Sequence, residues 1–111
     1  MRKLIILLSI IAFSKAGAQA PALAIADSLY AVGDYTKAIA QYESIQDPTA
    51  RTYLQIARAY KGKGVKNDAL VYYKKSLDLN GQQAIAQTEY GRLLLSKSKH
   101  HLADSIFSDL A

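Results

Sequence analysis

The chain has 111 residues, half of them hydrophobic, with 14 Lys and Arg against 9 Asp and Glu for a formal charge of +5. That length leaves room for one domain and none for a catalytic domain beside it, and the apolar fraction excludes a disordered polymer. The absence of Cys excludes disulfides, thiolate metal sites, a cysteine nucleophile and the acylated Cys of a bacterial lipoprotein.

Residues 1–20 read as a secretory signal. Arg2 and Lys3 give a positive start, Leu4 to Phe13 an apolar run broken only by Ser9, and Ala16-Gly17-Ala18 and Ala18-Gln19-Ala20 two small-x-small cleavage sites. An apolar run of this length covers about 15 Å as a helix, against roughly 30 Å of hydrocarbon in a bilayer. No stable membrane anchor is therefore expected after cleavage, and the protein is expected to be exported, to a periplasm or beyond. Arg2, Lys3 and Lys15 leave with the leader, so eleven basic residues then face nine acidic ones. A nucleic-acid partner does not follow from so small an excess.

The remainder, 21–111, carries an internal period. Ala38-Ile39 and Tyr42 recur 31 residues later as Ala69-Leu70 and Tyr73, and Ala103 and Phe107 follow 34 residues after Ala69 and Tyr73. Gly33 and Gly64 each stand five residues before the alanine of their unit, where a glycine can enter the left-handed region and stop a helix. Each unit thus reads as helix, tight turn, helix. In chain order the expected pairs are Ala22 to Val32 with Tyr35 to Gln46, Arg51 to Lys63 with Lys66 to Leu79, and Ala84 to Lys97 with His100 to Leu110. Tyr53, Ile56, Ala57 and Tyr60 share a stripe at helical spacing, as do Ala69, Leu70, Tyr73, Ser76 and Leu77. Close helix pairing needs small residues opposite large ones, which casts Ala38, Ala57, Ala69, Gly91 and Ala103 as holes and Tyr42, Tyr60, Tyr73 and Phe107 as knobs.

This order of small, aromatic, alanine, aromatic and small residues resembles the tetratricopeptide repeat family. The second unit supplies Ala57, Tyr60, Ala69, Tyr73 and Ser76 at those places, the third Gly91, Leu94, Ala103, Phe107 and Leu110, and the first Ala26, Leu29, Ala38 and Tyr42. The third departs from the pattern in having Ser98 where a turn glycine is usual, and Gly81 stands where the family commonly has proline. The resemblance covers nearly all of 21–111 and implies an all-α superhelical solenoid of about three helix pairs, with units near 21–49, 50–83 and 84–111, the last truncated.

The sequence contains no phosphate-cradling glycine loop, no G-x-S-x-G and no H-E-x-x-H, so neither an enzyme, a cofactor nor a metal is expected. His100-His101 is the one histidine cluster, and neighbours on a helix diverge by about 100°, which suits a solvated helix start better than a shared metal. The family resemblance implies instead a protein or peptide held in a concave groove lined by the first helix of each pair. The groove positions hold Arg51, Leu54, Arg58 and Lys61 in the second unit and Ile85, Thr88, Arg92 and Leu95 in the third. Arginines grip carboxylates with two-pronged geometry, so an acidic partner is the expected class. The Lys-Asn-Asn-Lys-Arg clamp of the chaperone-binding members is not matched, since Leu23, Asp27, Gln55, Ile85 and Glu89 stand at its positions.

Two functions fit this reading: an exported adaptor that scaffolds a partner, and the extracytoplasmic repeat region of a larger sensor or envelope enzyme. Leu102, Ile106, Phe107 and Leu110 make the last expected helix apolar, whereas a solenoid needs a polar cap. That end is expected to continue into more chain or to pair in a dimer through the C-terminal helix. The leader yields the first testable outcome: mass spectrometry of the exported protein should find Gln19 or Pro21 at its N-terminus, and an intact Met1 would contradict it.

Overall fold

The computed structural model describes residues 20–110, with side chains throughout except at 102, 103 and 106–110. The signal segment, all but Ala20, lies outside the described residues, as do the side chains expected to make the C-terminal end apolar. Every described element is helical: α1 (20–31), α2 (Tyr35–Glu43), α3 (Ala50–Lys63), α4 (Lys66–Leu79) and α5 (Ala84–Leu110). They fall into two compact units that divide between Pro48 and Thr49.

In the first unit, Gly33 ends α1 at φ +83°. Its N–H donates to the Tyr30 carbonyl at 3.0 Å and that of Asp34 to the Leu29 carbonyl at 2.9 Å. This pair of bonds satisfies carbonyls that the helix end would leave open, and the left-handed residue it requires costs glycine no steric strain. Asp34 then caps α2 by accepting from the Lys37 N–H at 3.4 Å. The return helix buries Ala38, Ile39 and Tyr42, with Ala26 buried on α1. The Tyr42 hydroxyl donates to the Asp27 carboxylate, and Tyr30 meets Tyr35 edge to face at 5.5 Å. α2 stops at Glu43 rather than Gln46. Ser44 turns its hydroxyl back to the Gln41 carbonyl at 2.6 Å, and the following Asp47 takes a left-handed φ of 53° immediately before Pro48, which disfavours helix in the residue preceding it.

In the second unit, Thr49 and Thr52 cap α3 reciprocally, each hydroxyl accepting from the other's backbone N–H at 3.2 and 3.3 Å. The helix ends at Gly64 with the same device as α1: φ +83°, Gly64 N–H to the Lys61 carbonyl at 3.0 Å, Val65 N–H to the Tyr60 carbonyl at 2.9 Å. Lys61 and Lys63 in that last turn also suit the negative end of the helix dipole. α4 returns against α3 and buries Ala69, Tyr73 and Ser76. The Ser76 hydroxyl donates to the Ala50 carbonyl at 2.6 Å, fixing the far end of the hairpin. α5 packs on α4, and one apolar cluster runs through the three helices: Leu54 and Ala57, Ala69 and Tyr73, Ala86 and Leu93, with Tyr60, Leu70, Tyr72, Leu77 and Tyr90 at its margin. Contacts between successive helices around small residues are those of a helical-repeat arrangement.

The expected third hairpin does not form. α5 is a single helix of 27 residues, and Ser98 lies within it rather than at a turn. Gly33 and Gly64 reach the left-handed region freely, but a side chain there costs roughly 1–2 kcal/mol, and no proline follows Ser98 to stop the helix. With no returning helix, Gly91 is not a hole for a knob: among the described residues no packing atom comes within 4 Å of where its Cβ would stand. Leu94, the large apolar residue of that unit, is 44% exposed.

The fully buried Ala69 gives the second testable outcome. Ala69→Leu should overpack the α3–α4 seam and lower stability by about 1–3 kcal/mol, whereas Val71→Leu on the exposed side of α4 should leave the melting temperature nearly unchanged. Equal melting temperatures for both variants would contradict this packing.

Candidate functional site

The residues expected to line a groove do not share one environment. Arg51 lies exposed in the first turn of α3 and Lys61 is exposed near its end. Leu54, between them, is only 8% exposed and belongs to the apolar cluster. It is a core residue, because its turn of α3 faces the helices packed on it. Arg92 lies exposed on α5.

Arg58 is already engaged. Its Nε donates to both carboxylate oxygens of Glu89 at 2.9 and 3.2 Å, and its Nη2 to Oε2 at 2.6 Å. Nη1 donates to Oε1 of Gln55, one turn earlier on α3, at 3.0 Å. The Tyr73 hydroxyl donates to Glu89 Oε1 at 3.1 Å, so α3, α4 and α5 each supply a member of one network. Arg58 and Glu89 side chains are 30% and 20% exposed, partly shielded from the solvent that weakens surface pairs. The hydrogen bonds from Arg58 hold the Glu89 carboxyl below its ordinary value. Burial opposes this, while the Arg58 charge, the Tyr73 hydroxyl and the Lys61 charge assist it.

This pair adds an internal partner to one member of the expected basic stripe. The charge of Arg58 is met from within the fold, and replacing it by Glu would set two carboxylates together across α3 and α5, not merely alter a solvated face. The sequence carried a signal for the pair: Glu89 is the only acidic residue between Ala84 and His101, so an arginine facing that part of α5 has one carboxylate to meet.

A different basic surface lies on α5. Arg92, Leu95, Ser96, Lys99 and His100 line an open recess of about 450 Å³. Their spacing of three, four, seven and eight places them on one helical stripe, with Leu95 supplying an apolar floor that is 56% exposed. Lys66 of α4 reaches the Ser96 hydroxyl at 3.3 Å and brings a further ammonium beside it. Lys97, on the neighbouring face, donates to the Asn67 side chain. Ser96, Lys99 and His100 were not legible as a site because the expected turn at Ser98 would have separated them. His100 and His101 are exposed in mid-helix, not at a helix start. Guanidinium, ammonium, imidazole and hydroxyl groups around an apolar floor can receive carboxylates or phosphates while covering an apolar side chain.

Among the described residues no group of three or more His, Cys, Asp or Glu is placed to hold a metal ion. No helix among them is long and apolar enough to cross a membrane. No protein-family model matches the chain, and no curated protein matches it. The tetratricopeptide likeness therefore stands on the residues that carry it, and the all-α packing agrees with a helical-repeat arrangement.

The network gives the third testable outcome. Because the carboxyl of Glu89 is held below its ordinary value of 4.5 in the fold, its contribution is complete above that value and is lost as pH falls through the lower folded one. Glu89→Gln should cost about 1–3 kcal/mol at neutral pH, and its stability should converge on that of the parent as the solution is acidified. Denaturant titrations that remain parallel from neutral to strongly acidic pH would refute the role given to this carboxylate.

Proposed function

We propose that this protein is an exported, non-enzymatic scaffold that holds an acidic segment of another protein against the first half of α5. The observation that carries the reading is the recess of Arg92, Leu95, Ser96, Lys99 and His100. A helix fixes the backbone positions of its donors, so ordering their side chains is the conformational cost that remains to oppose binding. The helical-repeat packing supports the same reading, since such arrays present extended faces for partner chains. The leader of residues 1–20 supports export, and Arg58, Gln55 and Glu89 serve as support beside the face and not as ligand groups.

Acidic partners would be steered by the exposed cations and would be held more weakly as salt rises, because exposed charges beyond about 8 Å are screened at physiological ionic strength. The probe is a set of fluorescent peptides of about ten residues, alternating Asp or Glu with Leu, beside the same peptides carrying Asn and Gln; that length spans roughly 33 Å extended. Anisotropy should report binding of the acidic set alone, and Arg92→Glu with Lys99→Glu should weaken it at least tenfold, while Lys37→Glu in the first unit should not. Equal binding of the neutral set, or a double reversal without effect, would remove this surface as the recognition site.

A further inference from the structure

We infer that the acidic segment binds as an α-helix, laid along α5 as in a coiled coil, with apolar side chains against Ile85 and Leu95 and carboxylates against Arg92 and Lys99. This rests on the reading that the face holds an acidic segment, and extends it beyond the recess to the start of α5. Ile85, Thr88, Arg92, Leu95 and Lys99 follow one another at steps of three, four, three and four. Such steps make the seven-residue repeat of a two-helix seam, about 3.5 residues per turn. At about 100° per residue the five stay within about 80° of one another around the axis, and all five are exposed.

No described helix covers this seam. Ile85 is 64% and Leu95 56% exposed, whereas Ala86 and Leu93, each next to a seam residue, are the buried ones that hold α5 to the core. Thr88 turns its hydroxyl to the Ala84 carbonyl at 2.9 Å, so its proton is already committed. Gly91 and Ser98 border one flank. Among the described residues no packing atom stands within 4 Å of the place of a Gly91 Cβ, so a second backbone can approach closely there.

Spacing decides the conformation of the occupant. From 85 to 99 the seam runs about 21 Å in four steps that average about 5.3 Å. A strand offers same-face side chains about every 6.7 Å, completes about three steps over that length and falls out of register. A helix repeats the same steps of three and four. Charge decides its composition. A second copy of α5 would add its own Arg92 and Lys99 to the seam, where like charges repel, whereas carboxylates at those two levels pair with them.

The probe is a capped peptide of about eighteen residues built from Ala and Gln, with Leu at the levels of Ile85, Thr88 and Leu95 and Glu at those of Arg92 and Lys99. Its reversed sequence is tested beside it, so that both helix directions are sampled. Anisotropy with the full chain should show one of the two binding at least tenfold tighter than a peptide of the same composition in which Leu and Glu alternate. Proline in place of a central Ala off the seam should weaken it at least tenfold, because proline breaks a helix and not an extended chain. Ile85→Ser should weaken it about tenfold through the lost apolar contact, while Ile25→Ser, on an exposed residue of the first unit, should not. Equal binding by the alternating or the proline-bearing peptide, or indifference to Ile85→Ser, would overturn the helical occupant and leave the acidic-segment reading in place. Failure of both helical peptides while the ten-residue acidic set binds would do the same. If none of these peptides binds, both readings fall.

Discussion

Tyr73 is buried completely, yet carries a hydroxyl that must find a partner away from water. It finds Glu89 on the next helix, and a carboxylate in that half-buried place requires a cation, which Arg58 supplies from the helix before. One buried aromatic thereby fixes the relation of α3, α4 and α5. Ala57 and Ala69 make this arrangement possible, because their small side chains let α3 and α4 approach while the tyrosine fills the space beyond. The first unit uses the same device in shorter form: Tyr42 is buried and its hydroxyl rests on Asp27 of the preceding helix.

The same constraint engages Arg58, the arginine that resembled a ligand residue, within the fold. A guanidinium held by two carboxylate oxygens and one amide oxygen has most of its donors committed. Exposed positive charge is found farther along α5, where Arg92 and Lys99 project from a helix whose packing is secured by Ala86 and Leu93. The support and the surface thus adjoin along one helix, Glu89 standing one turn before Arg92.

Backbone conformation decides the rest. Gly33 and Gly64 terminate their helices by identical hydrogen-bonded turns, each at φ +83°, and each turn returns the chain antiparallel onto the helix just completed. Ser98 reaches the left-handed region only at a cost of roughly 1–2 kcal/mol, so α5 runs on, a face that a hairpin would cover stays open, and five residues from both sides of the missing turn join one stripe. A single residue type accounts for both the bare Gly91–Leu94 face and the recess.

By itself the sequence determined the all-α class, the positions of the first four helices to within a few residues, the two glycine turns and the burial of Ala38, Tyr42, Ala57, Ala69 and Tyr73. These are legible because helix periodicity and the glycine requirement are local, each set by residues within one or two turns of one another. Tertiary structure decided that Leu54 is core, that Arg58 is occupied and that Ser96, Lys99 and His100 share a face with Arg92. The first two depend on juxtaposition of residues on different helices, 31 apart in the chain for Arg58 and Glu89. The third depends on whether a serine bends or continues a helix, a balance that rests on what packs against it. The repeat pattern could show that two halves of a hairpin were encoded, but only the folded chain could show that they remain joined as one helix.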